Sequence, residues 1–168
     1  MSQSFLRFKL HDEYFAVPVS QVLKILEMGP LTMVPKSPPY LKGVLNWRGS
    51  ILPVVGFNLK LGFPEPERTR DTCILVLELD IDNETTTIGC IVDQVEAVME
   101  INPEEILPSP SVGEKFETDL IKGMYPHEGG FIIILDYVKI FGSDKALRLS
   151  KNSFMEKSEE KVTSEKTI

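Results

Sequence analysis

Asp80, Asp82, Asn83 and Glu84 stand close enough together to suggest an oxygen-ligand loop for calcium. That chemistry needs the EF-hand register, with a central glycine and a terminal bidentate glutamate, and neither is in place. A polar hairpin turn is the better reading. His11 and His127 could serve as acid–base catalysts only beside a nucleophile or carboxylate at hydrogen-bond distance. Both fall in polar turns with no Ser or Cys partner near in sequence, and both read as solvated turn residues. Cys73 and Cys90 lack metal-ligand spacing and sit in strand-like runs, so they read as small buried apolar residues in a reducing compartment. No phosphate-cradling or dinucleotide-binding glycine motif occurs. An enzyme with a site assembled from distant residues such as His11, Asp93 and Glu96 is a rival that no motif supports. The expectation is a non-enzymatic protein with no catalytic residue, cofactor or metal.

Recognition chemistry is better represented. Asn46-Trp47-Arg48-Gly49 combines a turn former, a large aromatic, a planar cation and a glycine. Trp and Arg dominate interface hot spots when a rigid element presents them. Trp47 also reads as a cap on the core beneath the turn. An arginine at a tight turn points outward.

The elements that position this turn occur twice. Residues 42–62, KGVLNWRGSILPVVGFNLKLG, align without a gap on residues 122–142, KGMYPHEGGFIIILDYVKIFG. Lys42/Lys122, Gly43/Gly123, Gly49/Gly129 and Gly62/Gly142 are identical, whereas Trp47-Arg48 is replaced by His127-Glu128. Residues 15–26, FAVPVSQVLKIL, echo residues 88–99, IGCIVDQVEAVM. Period-2 alternation predicts strands over Leu6–Leu10 and Tyr14–Val17, joined by a hairpin at His11-Asp12-Glu13. Further strands are expected over 23–28, 40–46, 50–55, 73–79 and 85–92, with Pro53 best placed on a sheet edge. Short helices follow at 57–61, stopped by Gly62, and at 137–141, capped by Asp136. Each half thus carries about five short strands, too few for a large sandwich and enough for a small closed barrel. The fold expected is mainly β: two packed five-stranded SH3-like β-barrels related by pseudo-twofold repetition.

The organisation expected is one domain over residues 4–142. It has a first barrel at about 5–62, a Pro-rich linker at about 63–71 and a second barrel at about 72–142. A C-terminal helix at 143–156 and a disordered charged tail at 157–168 complete it. The 168-residue chain has a net charge of −7, which disfavours nucleic acid and anionic membrane surfaces. No apolar run reaches the ~20 residues of a membrane span, and the N-terminus lacks secretion-signal features, so a cytoplasmic location is expected.

With these residues in view, the chain resembles the CheW-like chemotaxis coupling proteins over roughly residues 4–142. The resemblance rests on FLRFKL at 5–10, VSQVLKIL at 19–26, PPYLKGVLNWRG at 38–49, ILPVV at 51–55 and IGCIVDQV at 88–95. It implies an adaptor of two five-stranded barrels that holds the cytoplasmic hairpin tip of a chemoreceptor and the regulatory domain of the histidine kinase CheA. It also implies pairing with other copies of itself in array rings, and recruitment to membrane-bound receptors without membrane insertion. The receptor-contact residues expected are Val22, Gly43, Asn46, Trp47 and Arg48: Gly43, Asn46 and Arg48 lie on the family's glycine-to-arginine turn, and Val22 follows the hairpin. Trp47 stands where the family usually has an aliphatic residue, and Gly56 where it has an acidic or amide residue. The alternatives are an adaptor in a related pathway controlling something other than swimming, and a small-barrel nucleic-acid-binding module.

Overall fold

Two-residue turns with both backbone positions in the left-handed region organise the hairpins. The computed structural model describes residues 1–110, 120–142 and 144. The C-terminal helix and tail expected at 143–156 and 157–168 lie outside the described residues, apart from Asp144. Strands β1 (Gln3–Leu10) and β2 (Glu13–Pro18) join through His11 (φ 51°) and Asp12 (φ 60°). A single 3-10 turn, Val19–Gln21, leads into β3 (Val22–Glu27). After the proline-rich loop come β4 (Leu41–Trp47), β5 (Ser50–Gly56) and the short α1 (Phe57–Lys60). Gly62 at φ 88° ends that turn, its N–H donating to Leu59 O at 3.1 Å. The order then repeats: β6 (Cys73–Ile81), β7 (Glu84–Val92), β8 (Gln94–Ile101), β9 (Ile121–His127), β10 (Gly130–Leu135) and α2 (Tyr137–Gly142). Asp136 caps α2 by accepting the Lys139 N–H at 3.0 Å.

Two five-stranded sheets result, with orders β8-β1-β2-β10-β9 and β3-β6-β7-β5-β4. Replacing β1 to β5 by β6 to β10 and the reverse converts one order into the other. The registers agree too. Gly43 faces Val54 across β4–β5 as Gly123 faces Ile134 across β9–β10, and the same bulge skips Lys42 and Lys122. The parallel pairings match, Val54 with Gly89 and Ile134 with Ala16. Repetition in sequence is therefore repetition in structure.

The allocation of strands differs from the expected barrels at about 5–62 and 72–142. One sheet draws on residues 22–92, and the other on 3–18 together with 94–135. Each half lends strands to the other. The sequence echo cannot reveal this, because equivalent hairpins offer equivalent edges and local pairing is satisfied either way. What sends β3 and β8 across is the chain direction after Val19–Gln21 and after Asp93. Asp93 also ties the sheets together: its Oδ2 accepts the His11 N–H at 2.9 Å and its Oδ1 accepts from Asn58 Nδ2 at 2.8 Å.

Pro53 is likewise not on an edge, since β5 lies between β7 and β4. Its missing N–H costs no ladder bond to β7, because the parallel pairing begins one residue later, at Val54. The main core lies between the sheets and mixes Leu6, Phe8 and Phe15 with Phe57, Leu75, Leu77, Tyr137 and Phe141. Tyr137 is 2% exposed and donates its hydroxyl to Ala16 O at 2.7 Å, so α2 is pinned to β2. Burial raises the Tyr137 pKa and keeps that donor protonated.

Candidate functional site

The β4–β5 connection is a two-residue turn closed by the Trp47–Ser50 pair, with Arg48 at φ 54° and Gly49 at φ 79°. Positive φ at both central positions is the I′ geometry whose twist matches paired strands. Asn46 Oδ1 accepts the Gly49 N–H at 3.0 Å and braces the turn. Asn46 and Arg48 are exposed. Trp47 is half-buried and packs against a small core of Leu52, Val54, Ile74 and Val76. The guanidinium carbon of Arg48 stands 4.4 Å from the centre of the Trp47 ring.

Gly43, on the same strand, is buried. A Cβ there would lie 2.7 Å from Thr32 O and 2.9 Å from Leu31 Cβ, and the backbone has φ 149°. Its repeat Gly123 is equally confined, with a Cβ position 2.7 Å from Leu107 O and closer still to Ile106 Cγ2. The glycine is thus needed within the chain, where the preceding loop crosses β4 through a Thr32–Val44 bridge, as Leu107–Met124 does on β9. Val22 opens β3, the opposite edge strand of that sheet, half-buried against the main core. Four of the five expected contact residues therefore share β4 and its turn, while the fifth stands apart from them in the sheet order.

The second turn is built on the same backbone with different chemistry. Glu128 (φ 45°) and Gly129 (φ 78°) occupy the central positions, and the Glu128 side chain is 79% exposed. His127 is not simply solvated: its Nε2 accepts from Arg7 Nη1 at 2.7 Å. Arg7 Nε also lies 3.0 Å from Glu96 Oε2, an ion-pair contact without hydrogen-bond alignment. Of the three residues of the enzymatic rival, His11 and Asp93 meet only through the His11 main-chain N–H, Asp93 also accepts from Asn58, and Glu96 pairs with Arg7. The His11 ring instead stacks on Phe63 at 4.8 Å.

Cys73 and Cys90 are both free, and Cys90 is fully buried. Desolvation pushes both thiols up, which keeps them protonated and unreactive. Among the described residues no helix is long and apolar enough to cross a membrane.

Sequence reasoning missed a set of exposed apolar side chains on the edge strands. Leu23 and Ile25 on β3 are 38% and 44% exposed, and Val98 on β8 is 61% exposed. Phe131, beside the second turn, is 48% exposed. The signal was present, because Ile25 and Val98 occupy equivalent positions of the shorter echo. Alternation alone assigns an apolar residue to a core and cannot flag one that faces solvent.

Comparison with known proteins gives one answer from three directions. The CheW-like domain pattern matches residues 4–145. A chemotaxis protein CheW from Rhizobium meliloti is 29% identical over 85% of this chain and 90% of its own length. A chemotaxis protein CheW from Thermotoga maritima is 33% identical over 80% of this chain and 85% of its own. The crystal structure of the scaffolding protein TtCheW from Thermoanaerobacter tengcongensis superimposes with a TM-score of 0.74 at 26% identity, covering 86% of this chain and 90% of that one. Sequence pattern, relatives and strand arrangement agree, and the chain belongs to the CheW-like family.

Proposed function

We propose that this protein is a non-enzymatic chemotaxis adaptor that couples the cytoplasmic hairpin tips of chemoreceptors to the regulatory domain of the histidine kinase CheA. The observation that carries the reading is the CheW-like match across residues 4–145, nearly all of the described chain. The duplicated scaffold supports it physically. Two equivalent sheets end in equivalent turns, one bearing Arg48 and the other Glu128, so one molecule offers two chemically different faces. The protein acts in the cytoplasm, is recruited to receptor arrays, and pairs there with further copies of itself.

Receptor binding is assigned to Arg48, Asn46 and Trp47 at the first turn, with Val22 and the backbone around Gly43. Each contact need be only micromolar, about −8 kcal/mol. An array holds both partners through raised effective concentration. A signal then passes as a coupling free energy of ~1–3 kcal/mol between packing arrangements.

Arg48→Ala is expected to weaken binding of a receptor hairpin fragment by roughly 10- to 30-fold, about 1.4–2 kcal/mol, as for an exposed arginine at an interface hot spot. Its thermal midpoint should fall by no more than about 4 °C, because Arg48 is exposed and its ring contact with Trp47 is a surface cation–π contact. Calorimetric titration beside a melting curve checks both. Unchanged affinity would remove Arg48 from the interface.

A further inference from the structure

An exposed arginine is ordinarily a mobile side chain, yet Arg48 is held at both ends. Its backbone is fixed by the turn, with φ 54° followed by Gly49 at φ 79° and the Asn46 brace to Gly49 N–H. Its head lies over the Trp47 indole at 4.4 Å. Trp47 is anchored in turn, packed on Leu52, Val54, Ile74 and Val76. Among the described residues the ion pairs involve Arg7, Lys42 and Lys60, and none involves Arg48. Arg68 and Arg70 are likewise exposed and outside these ion pairs, so what sets Arg48 apart is the turn that fixes its backbone and the indole beneath its head.

A guanidinium with one face covered by an aromatic ring keeps its N–H donors in the uncovered plane. That fork fits a carboxylate bidentately, a geometry an ammonium cannot reproduce. The repeat lacks the device, since Glu128 replaces the arginine and His127, in place of the indole, is engaged by Arg7.

We propose that Trp47 and Arg48 form a preorganised carboxylate receptor whose ligand is an Asp or Glu side chain on the receptor hairpin. Arg48 makes the contact and Trp47 is its positioning residue. This rests on the receptor-binding reading above and goes beyond it by naming the ligand chemistry and the residue that positions the arginine.

The test titrates the full chain with a receptor cytoplasmic hairpin fragment, and with a second fragment whose tip carboxylates are converted to amides. Trp47 is the only tryptophan, so its emission reports on the pair directly. Binding of the acidic hairpin should shift that emission. Trp47→Leu should weaken binding about two- to fivefold, the range for a solvent-exposed cation–π contact, with partial recovery in Trp47→Phe. Arg48→Lys should lose as much affinity as Arg48→Ala, and the Arg48→Ala loss should shrink in a Trp47→Leu background. The amide fragment should bind the wild-type chain as weakly as the acidic one binds Arg48→Ala. Wild-type affinity in Arg48→Lys, full additivity of the two substitutions, or equal binding of both fragments would overturn the proposal. If the hairpin binds every variant equally, the carboxylate receptor fails and Arg48 leaves the interface, while the adaptor reading stands. If the wild-type chain binds no hairpin at all, both fail.

Discussion

Phe57→Ala is expected to cost about 3–5 kcal/mol and to lower the melting point of the whole molecule in a single transition. Phe57 is 1% exposed and sits where the two sheets meet. Its ring centre lies 6.2 Å from Phe8 on β1, 6.1 Å from Tyr137 and 5.8 Å from Phe141 on α2. Phe8 belongs to one sheet, and Phe57 follows β5 of the other, so the cavity left by alanine is lined from both. For a chain of this size the midpoint should fall by roughly 6–20 °C. Melting followed by far-ultraviolet circular dichroism and by Trp47 emission should coincide, because the largest core is built by both sheets together and each sheet's own cluster is small. Two separate transitions, one at the wild-type temperature, would contradict the shared core and the exchange of strands.

Gly43→Ala carries the second large effect. A methyl group there meets Thr32 O at 2.7 Å, and the backbone at φ 149° strains any L side chain. Overpacking and backbone strain each cost ~1–3 kcal/mol, so a loss of about 2–6 kcal/mol in urea denaturation is expected. Gly123→Ala, with the same crowding but no positive φ in that range, should lose about 1–3 kcal/mol. Gly29→Ala, with nothing within 4 Å, should stay within about 0.5 kcal/mol of wild type. Wild-type stability in Gly43→Ala together with lost hairpin binding would shift the glycine's role from the loop crossing to a partner's approach.

The matching glycines show how much of the fold the chain declares locally. The repeated glycines and the alternating strands between them record features that near neighbours impose, a tight turn at Gly49 and Gly129 and a buried face. The crowding of Gly43 and Gly123 comes instead from a preceding loop and shows only in the structure. The turns and the buried face were legible, the turn carrying Trp47 and Arg48 among them. The strand exchange was not, because β3 pairs with β6 and β8 with β1 over long separations. A doubled sequence contains two equally suited partners for each edge. Pro53 shows the same blindness at one residue, since a proline forbids a hydrogen bond but does not say which neighbour would have supplied it. His127 read as solvated because its partner, Arg7, lies at the other end of the chain. The place of Val22 on the other end strand of that sheet was hidden for a similar reason: only the order of strands reveals it.

The central claim is that one molecule joins two unlike partners at the same time. Sedimentation of the full chain mixed with a receptor cytoplasmic fragment and the kinase, singly and together, tests it most directly. Coupling predicts a ternary species that forms only when all three are present, and its loss with Arg48→Glu while the kinase complex persists. Receptor fragment and kinase displacing each other from the chain, with no ternary species at any concentration, would contradict it.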